Sequence, residues 1–252
     1  MGLFDRFKKQ PGPPESKPSE KNPAELVFQP SMSCEIAPCR GELALQHLEQ
    51  LREAGNRSGF TVILLGGEGD TDSLEEERDA SGPTPEEYVR RAAELDVDKW
   101  LAERVAQDPE QFSSEMGRWP LIKPKAGSIM AHLDILSGRP KDVVYIAKIP
   151  TSLNWQAPAY IGAGGWNECP DAAVLAALAR RWHERFGAEF VSITHDTIEF
   201  LVANPPASKE QAIELAKEQF IVCSDIVTQG TDTISALAAT LLNSNYWYFW
   251  WD

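Results

Sequence analysis

Gly164-Gly165-Trp166-Asn167-Glu168-Cys169-Pro170 leads into an Ala- and Leu-rich segment over residues 171–186, and its reading decides the fold. The glycines provide a turn, Cys169 is expected at the N-cap of the following helix, and Pro170 suits the first helical position. Asp171 favours the positive end of the helix dipole. Leu175, Leu178, Trp182 and Phe186 recur at helical spacing, with Arg180, Arg181, Glu184 and Arg185 on the other side, and Gly187 is a helix stop. The period then changes. Val191, Ile193, Ile198, Phe200 and Val202 alternate about a polar turn at His195-Asp196, which predicts a β-hairpin over residues 189–203.

Outward toward the C-terminus, Asn204-Pro205-Pro206 breaks the strand, and Ser208 with Gln211 forms a capping box. Ala212, Leu215, Ala216 and Phe220 make the buried face of the helix it starts. A short helix follows over residues 234–242. Residues 246–251 read as an aromatic strand apolar on both faces, central or covered on both sides, completing the sheet last; Trp247, Phe249 and Trp251 read as packing residues.

Toward the N-terminus, strands are expected over residues 143–149 and 157–161, with a turn at Asn154-Trp155, and a loop over 107–126 that Trp119-Pro120 anchors. Thr84-Pro85-Glu86-Glu87 is a capping box that starts a helix to about Leu95, and Asp98 is expected to cap another through Ala106. Residues 60–65 are a continuously apolar, buried strand; residues 41–54 are a helix in which His47 is partly buried. Residues 1–9 form a short amphipathic piece that reads as a frayed tail, and the Pro-, Ser-, Lys- and Glu-rich residues 10–25 cannot build a core. Together these elements predict an α+β fold: a mainly antiparallel sheet flanked by helices, one globular unit behind a disordered leader. The divisions are 1–25 (leader), 26–140 (N-terminal α/β part) and 141–252 (C-terminal α+β domain).

A net charge of -14 repels nucleic acid and anionic membranes and favours a basic protein partner or solubility. With no apolar run of about 18 residues, no membrane span is expected. The four cysteines, at 34, 39, 169 and 223, make no disulfide framework, so a reducing cytoplasm is the expected compartment. Cys34 and Cys39 lack two further ligands at zinc spacing, so no metal and no cofactor are expected. Gly66-Gly67-Glu68-Gly69-Asp70 follows a strand as a phosphate loop would. It has no P-loop lysine, and the acids at 70, 72, 75, 76, 77 and 79 would repel phosphate, so it reads as a solvated surface loop.

Several blocks in order resemble a bacterial family, domain of unknown function 4253. They are residues 164–170; Trp182 with Phe186-Gly187-Ala188-Glu189; Asn204-Pro205-Pro206; Ala212, Leu215-Ala216 and Glu218; residues 223–227; and Trp250-Trp251-Asp252. The resemblance spans roughly the last 110 residues. It implies a soluble bacterial protein and carries no activity.

Two functions compete. The leading one is a non-catalytic protein-binding module of inhibitor or immunity type, with Trp166, Asn167, Trp250, Trp251 and Asp252 as binding residues. The alternative is a papain-like thiol hydrolase: Cys169 at a helix N-terminus as nucleophile, His195 as base, Asp196 as orienter, and an oxyanion donor at or near Asn167.

Overall fold

A computed structural model describes residues 26–78, 81–122, 124 and 127–252. The readings of residues 1–25 and of Asp79 lie outside the described residues. One seven-stranded sheet runs through both halves of the chain. Its strands are β1 (Gln29–Ser31), β2 (Cys34–Cys39), β3 (Thr61–Gly66), β4 (Val144–Ile149), β5 (Ala188–Ile193), β6 (Thr197–Val202) and β7 (Tyr246–Trp250), in the spatial order β1-β2-β4-β3-β5-β6-β7. The sheet is mixed, a correction to the mainly antiparallel expectation: β3 and β5 run parallel, and the other neighbours are antiparallel. A parallel pair needs a long crossover, and here everything from residue 67 to 187 lies between the two strands.

The helices are α1 (Gly41–Ser58), α2 (Glu68–Glu77), α3 (Pro85–Glu94), α4 (Val97–Gln107), α5 (Pro109–Ser114), α6 (Ala157–Ile161), α7 (Ala172–Phe186), α8 (Lys209–Val222) and α9 (Ile234–Leu241). Along β3, alternate residues enter different cores. Val62 and Leu64 pack with Ala44 and Leu48 of α1, whereas Ile63 and Leu65 join the larger core with α7, α8 and α9. This explains the unbroken apolar run of β3. The same alternation sends Cys34 and Cys39 of β2 into different cores, so their thiols cannot share an ion.

The larger core centres on Trp182. Its ring stacks on Phe249 at 5.4 Å and meets Phe200 and Trp247 edge-on at 5.7 and 6.0 Å, while its indole N–H donates to Glu218 at 3.1 Å. Glu218 also pairs with Arg181 and Arg185, tying α8 to α7.

Several local expectations are corrected. Residues 157–161 form helix α6, not a strand, because Pro158 is tolerated in a first turn and an apolar run of five carries no period. The Gly-rich acidic segment is helix α2, not a loop: the Asp70 carboxylate accepts the Gly67 N–H at 2.7 Å, and acids suit the positive end of the dipole. Helix α5 interrupts the expected 107–126 loop. The N-caps are Asp96 for α4, not Asp98, and Asp171 for α7, not Cys169, each accepting a backbone N–H three residues on. Strand β7 lies at the sheet edge: Trp247, Phe249 and Trp251 are buried, and Tyr246, Tyr248 and Trp250 are half-buried on its other face.

Candidate functional site

The carboxyl ends of β3 and β5 lie side by side, and the chain leaves them toward α2 and toward the β5–β6 turn. Crevices at such ends, where neighbouring connections diverge, are the usual ligand positions of sheets with parallel strands. A cavity of about 430 Å³ opens there. Asp70, Lys141, Thr194, His195, Asp196, Tyr248 and Trp250 are among its lining residues, together with Asp134 and Ile135 from the loop of residues 127–143.

Each charged side chain is held by local structure. Gly66 has φ +82°, and a Cβ there would lie 2.2 Å from Asp70 Oδ2, so only glycine lets the carboxylate fold back over the end of β3. Asp70 Oδ2 accepts from Gly67 N at 2.7 Å and from Lys141 Nζ at 2.9 Å. Its other oxygen, Oδ1, lies 3.3 Å from His195 Nδ1. Asp196 Oδ1 is 3.7 Å from that same nitrogen and accepts from Thr194 Oγ1 at 3.1 Å. The His195 ring stacks on Trp166, with centroids 6.1 Å apart and planes at 18°. Asp134 accepts both the hydroxyl and the backbone N–H of Ser137, and these bonds hold its carboxyl below the usual carboxylate range.

The 127–143 loop is anchored from below by Glu199, which is fully buried. Its carboxylate accepts from Met130 N, Ala131 N, Ser192 Oγ and the Tyr246 hydroxyl. The same loop carries Ile135 and Leu136, 78% and 94% exposed, and the less exposed Met130 and Val143.

The residues singled out from sequence are distributed as follows. His195 and Asp196 line the cavity, and Trp166 backs the imidazole. Cys169 is buried in the turn before α7, where Gly165 N donates to its carbonyl and its own N–H reaches Trp166 O. Burial, and then the neighbouring Cys223, push the Cys169 thiol far above its ordinary range. The partners of the His195 ring among the described residues are Asp70, Asp196 and Trp166. Asn167, at φ 45°, donates its amide to the carbonyl of Asp252, while the Asp252 N–H donates to Asp225; these bonds close the chain end over the turn. Trp251 is 2% exposed, and Trp250 lines the cavity.

Sequence reasoning missed Asp70, Lys141 and Asp134. The available signal for Asp70 was a buried strand, two glycines and an acid three residues beyond the second glycine, the pattern of a carboxylate capping a helix start.

Residues 145–252 match the model of a protein family described as Domain of unknown function (DUF4253). The match includes His195, Asp196, Tyr248 and Trp250 and leaves Asp70, Asp134 and Lys141 on the preceding segment. No curated protein and no solved structure matches the chain. Among the described residues, no helix is long and apolar enough to cross a membrane.

Proposed function

We propose that this protein is a non-catalytic binding module, of inhibitor or immunity type, whose cavity at the end of β3 and β5 receives a basic side chain of a protein partner. The observation that carries this reading is the cavity's lining. Three carboxylates, of Asp70, Asp134 and Asp196, face one ammonium, that of Lys141, beside the rings of Tyr248 and Trp250. A guanidinium or ammonium group entering there gains charge-assisted hydrogen bonds and an aromatic face. The apolar side chains of Met130 and Ile135 in the lining, with the exposed Leu136 and Val143 of the same loop, supply the area that turns such a contact into an interface. The overall charge of -14 steers a basic partner toward it. The thiol-hydrolase alternative has less support, because His195 faces carboxylates and the Cys169 thiol is buried and held protonated.

The test is a titration with acetyl-arginine amide and acetyl-lysine amide, followed through the backbone amide resonances of Thr194, Thr197 and Tyr248. Saturable shifts confined to the cavity, weakened at least about fivefold by Asp134→Asn or Asp196→Asn, support the reading. Equal response to uncharged acetyl-norleucine amide would sink it.

A further inference from the structure

We propose that Asp70 Oδ1, His195 Nδ1 and Asp196 Oδ1 form a binding site for one divalent transition-metal ion, with zinc the best fit. One ligand atom from each of these three residues lies within 4.8 Å of the other two, and this is the one such group of His, Cys, Asp or Glu ligands among the described residues. The imidazole nitrogen stands 3.3 Å from one carboxylate oxygen and 3.7 Å from the other. Tetrahedral ligands each about 2.1 Å from zinc are about 3.4 Å apart, so both separations suit a shared ion. They suit a hydrogen bond less well. A charged imidazole and a carboxylate close to about 2.7–2.9 Å, and a single N–H cannot serve two carboxylates fully. One nitrogen and two oxygens converge around a point that a proton fills poorly and a cation fills well.

The surroundings hold each ligand as a metal site requires. Asp70 spends Oδ2 on Gly67 N–H and Lys141, which leaves Oδ1 turned to the trio. Thr194 orients Asp196, and the Trp166 ring fixes the plane of the imidazole. One nitrogen and two carboxylate oxygens are a donor set for zinc and its neighbours in the first transition row; magnesium and calcium prefer oxygen alone. Three protein ligands leave a fourth position, and the cavity of about 430 Å³ borders all three residues, so a water or a ligand atom can complete the shell. The ligands come from the first turn after β3 and from the β5–β6 turn, which only the parallel pairing of β3 with β5 brings together.

The ion would use two of the three carboxylates that the protein-binding reading assigns to a basic side chain, so the two occupants compete for one cavity, and His195 tells their tests apart. Removing His195 takes away an ion ligand and none of the three carboxylates, so the arginine probe should still bind where the metal no longer does. The experiment is calorimetric titration of the chelator-stripped protein with Zn²⁺. Optical spectra with Co²⁺ report the ligand type. The expected result is one saturable site per chain, with Co²⁺ ligand-field bands and no thiolate charge-transfer band. His195→Ala and Asp196→Asn should each weaken Zn²⁺ binding at least tenfold while the circular-dichroism spectrum is unchanged, and Glu76→Gln, exposed on α2 and outside the cavity lining, should leave it within about twofold. Absence of saturable binding overturns the proposal, as does a thiolate band or an affinity that survives both His195→Ala and Asp196→Asn.

Discussion

The hydroxyl of Tyr246 donates to Glu199 at 2.6 Å, joining the edge strand β7 to a carboxylate with no solvent exposure. Because that carboxylate also accepts from Ser192 and from two backbone N–H groups of the 127–143 loop, one acid binds β5, β6, β7 and the cavity rim together. Burying it is tolerated because four donors replace its water.

Truncating that acid leaves the donors orphaned. Glu199→Ala should cost about 3–5 kcal/mol, by analogy with breaking a buried charged pair, and Tyr246→Phe about 1.5–3 kcal/mol for one bond to a charged group. Urea denaturation of both variants measures this. A loss below about 1 kcal/mol for Glu199→Ala would show that the carboxylate is not a structural tie.

Gly66→Ala should both destabilise the fold and release Asp70. The added methyl group would stand 2.2 Å from Asp70 Oδ2 at a φ of +82°. A cost of about 1–3 kcal/mol is expected from the strained backbone, together with loss of the Lys141 contact, visible as altered resonances of Gly67 and Lys141. Unchanged spectra would mean that the turn reshapes freely.

Cys169 should be inert in the folded protein. Its thiol is buried and its pKa far raised, so iodoacetamide should label it at neutral pH only as fast as the chain opens, and equally fast in His195→Ala. Mass spectrometry of partially alkylated protein reads the rate. Rapid labelling near pH 7 that His195→Ala abolishes would revive the thiol-hydrolase reading.

Stability should fall at alkaline pH. Burial raises the Cys39 thiol from 9.0 to about 11, and Cys34 and Cys223 to about 12. Burial, and then nearby Glu199, also holds the Tyr246 phenol well above its ordinary 10.0. Groups with raised folded pKa values stabilise the native state fully below their unfolded values; the unfolded chain sheds these protons first. The urea midpoint should therefore decline from about pH 9 upward, through about pH 11–12, by release of the thiol protons and then the phenol. A midpoint that rises or stays level between pH 8.5 and about pH 10.5 would contradict this.

How far the sequence reaches depends on the distance its signals travel. Periodicity marks the exposed and buried faces of α1 and α7, and alternation places the β5–β6 turn at His195-Asp196, because these patterns depend on neighbours within a turn or two. The capping box at Thr84 and the stop at Gly187 are equally local. The caps lie two residues from those expected: Asp171 replaces Cys169 because a carboxylate accepts a backbone N–H that a buried thiol leaves unmet, and of the two acids at the start of α4 it is Asp96 that accepts the N–H three residues on, with Asp98 inside the first turn.

By itself, then, the sequence determined most of the helices, the hairpin and the burial of Trp182, Trp247, Phe249 and Trp251, together with three of the cavity's residues, His195, Asp196 and Trp250. The tertiary structure alone decided that β4 inserts between β2 and β3, that β3 runs parallel to β5, and that β7 ends the sheet. It also decided the site, because Asp70 and His195 are 125 residues apart and meet only when those two strands pair. Local propensity acts through covalent neighbours, whereas strand order follows from which apolar faces can be buried together, a property of the whole chain.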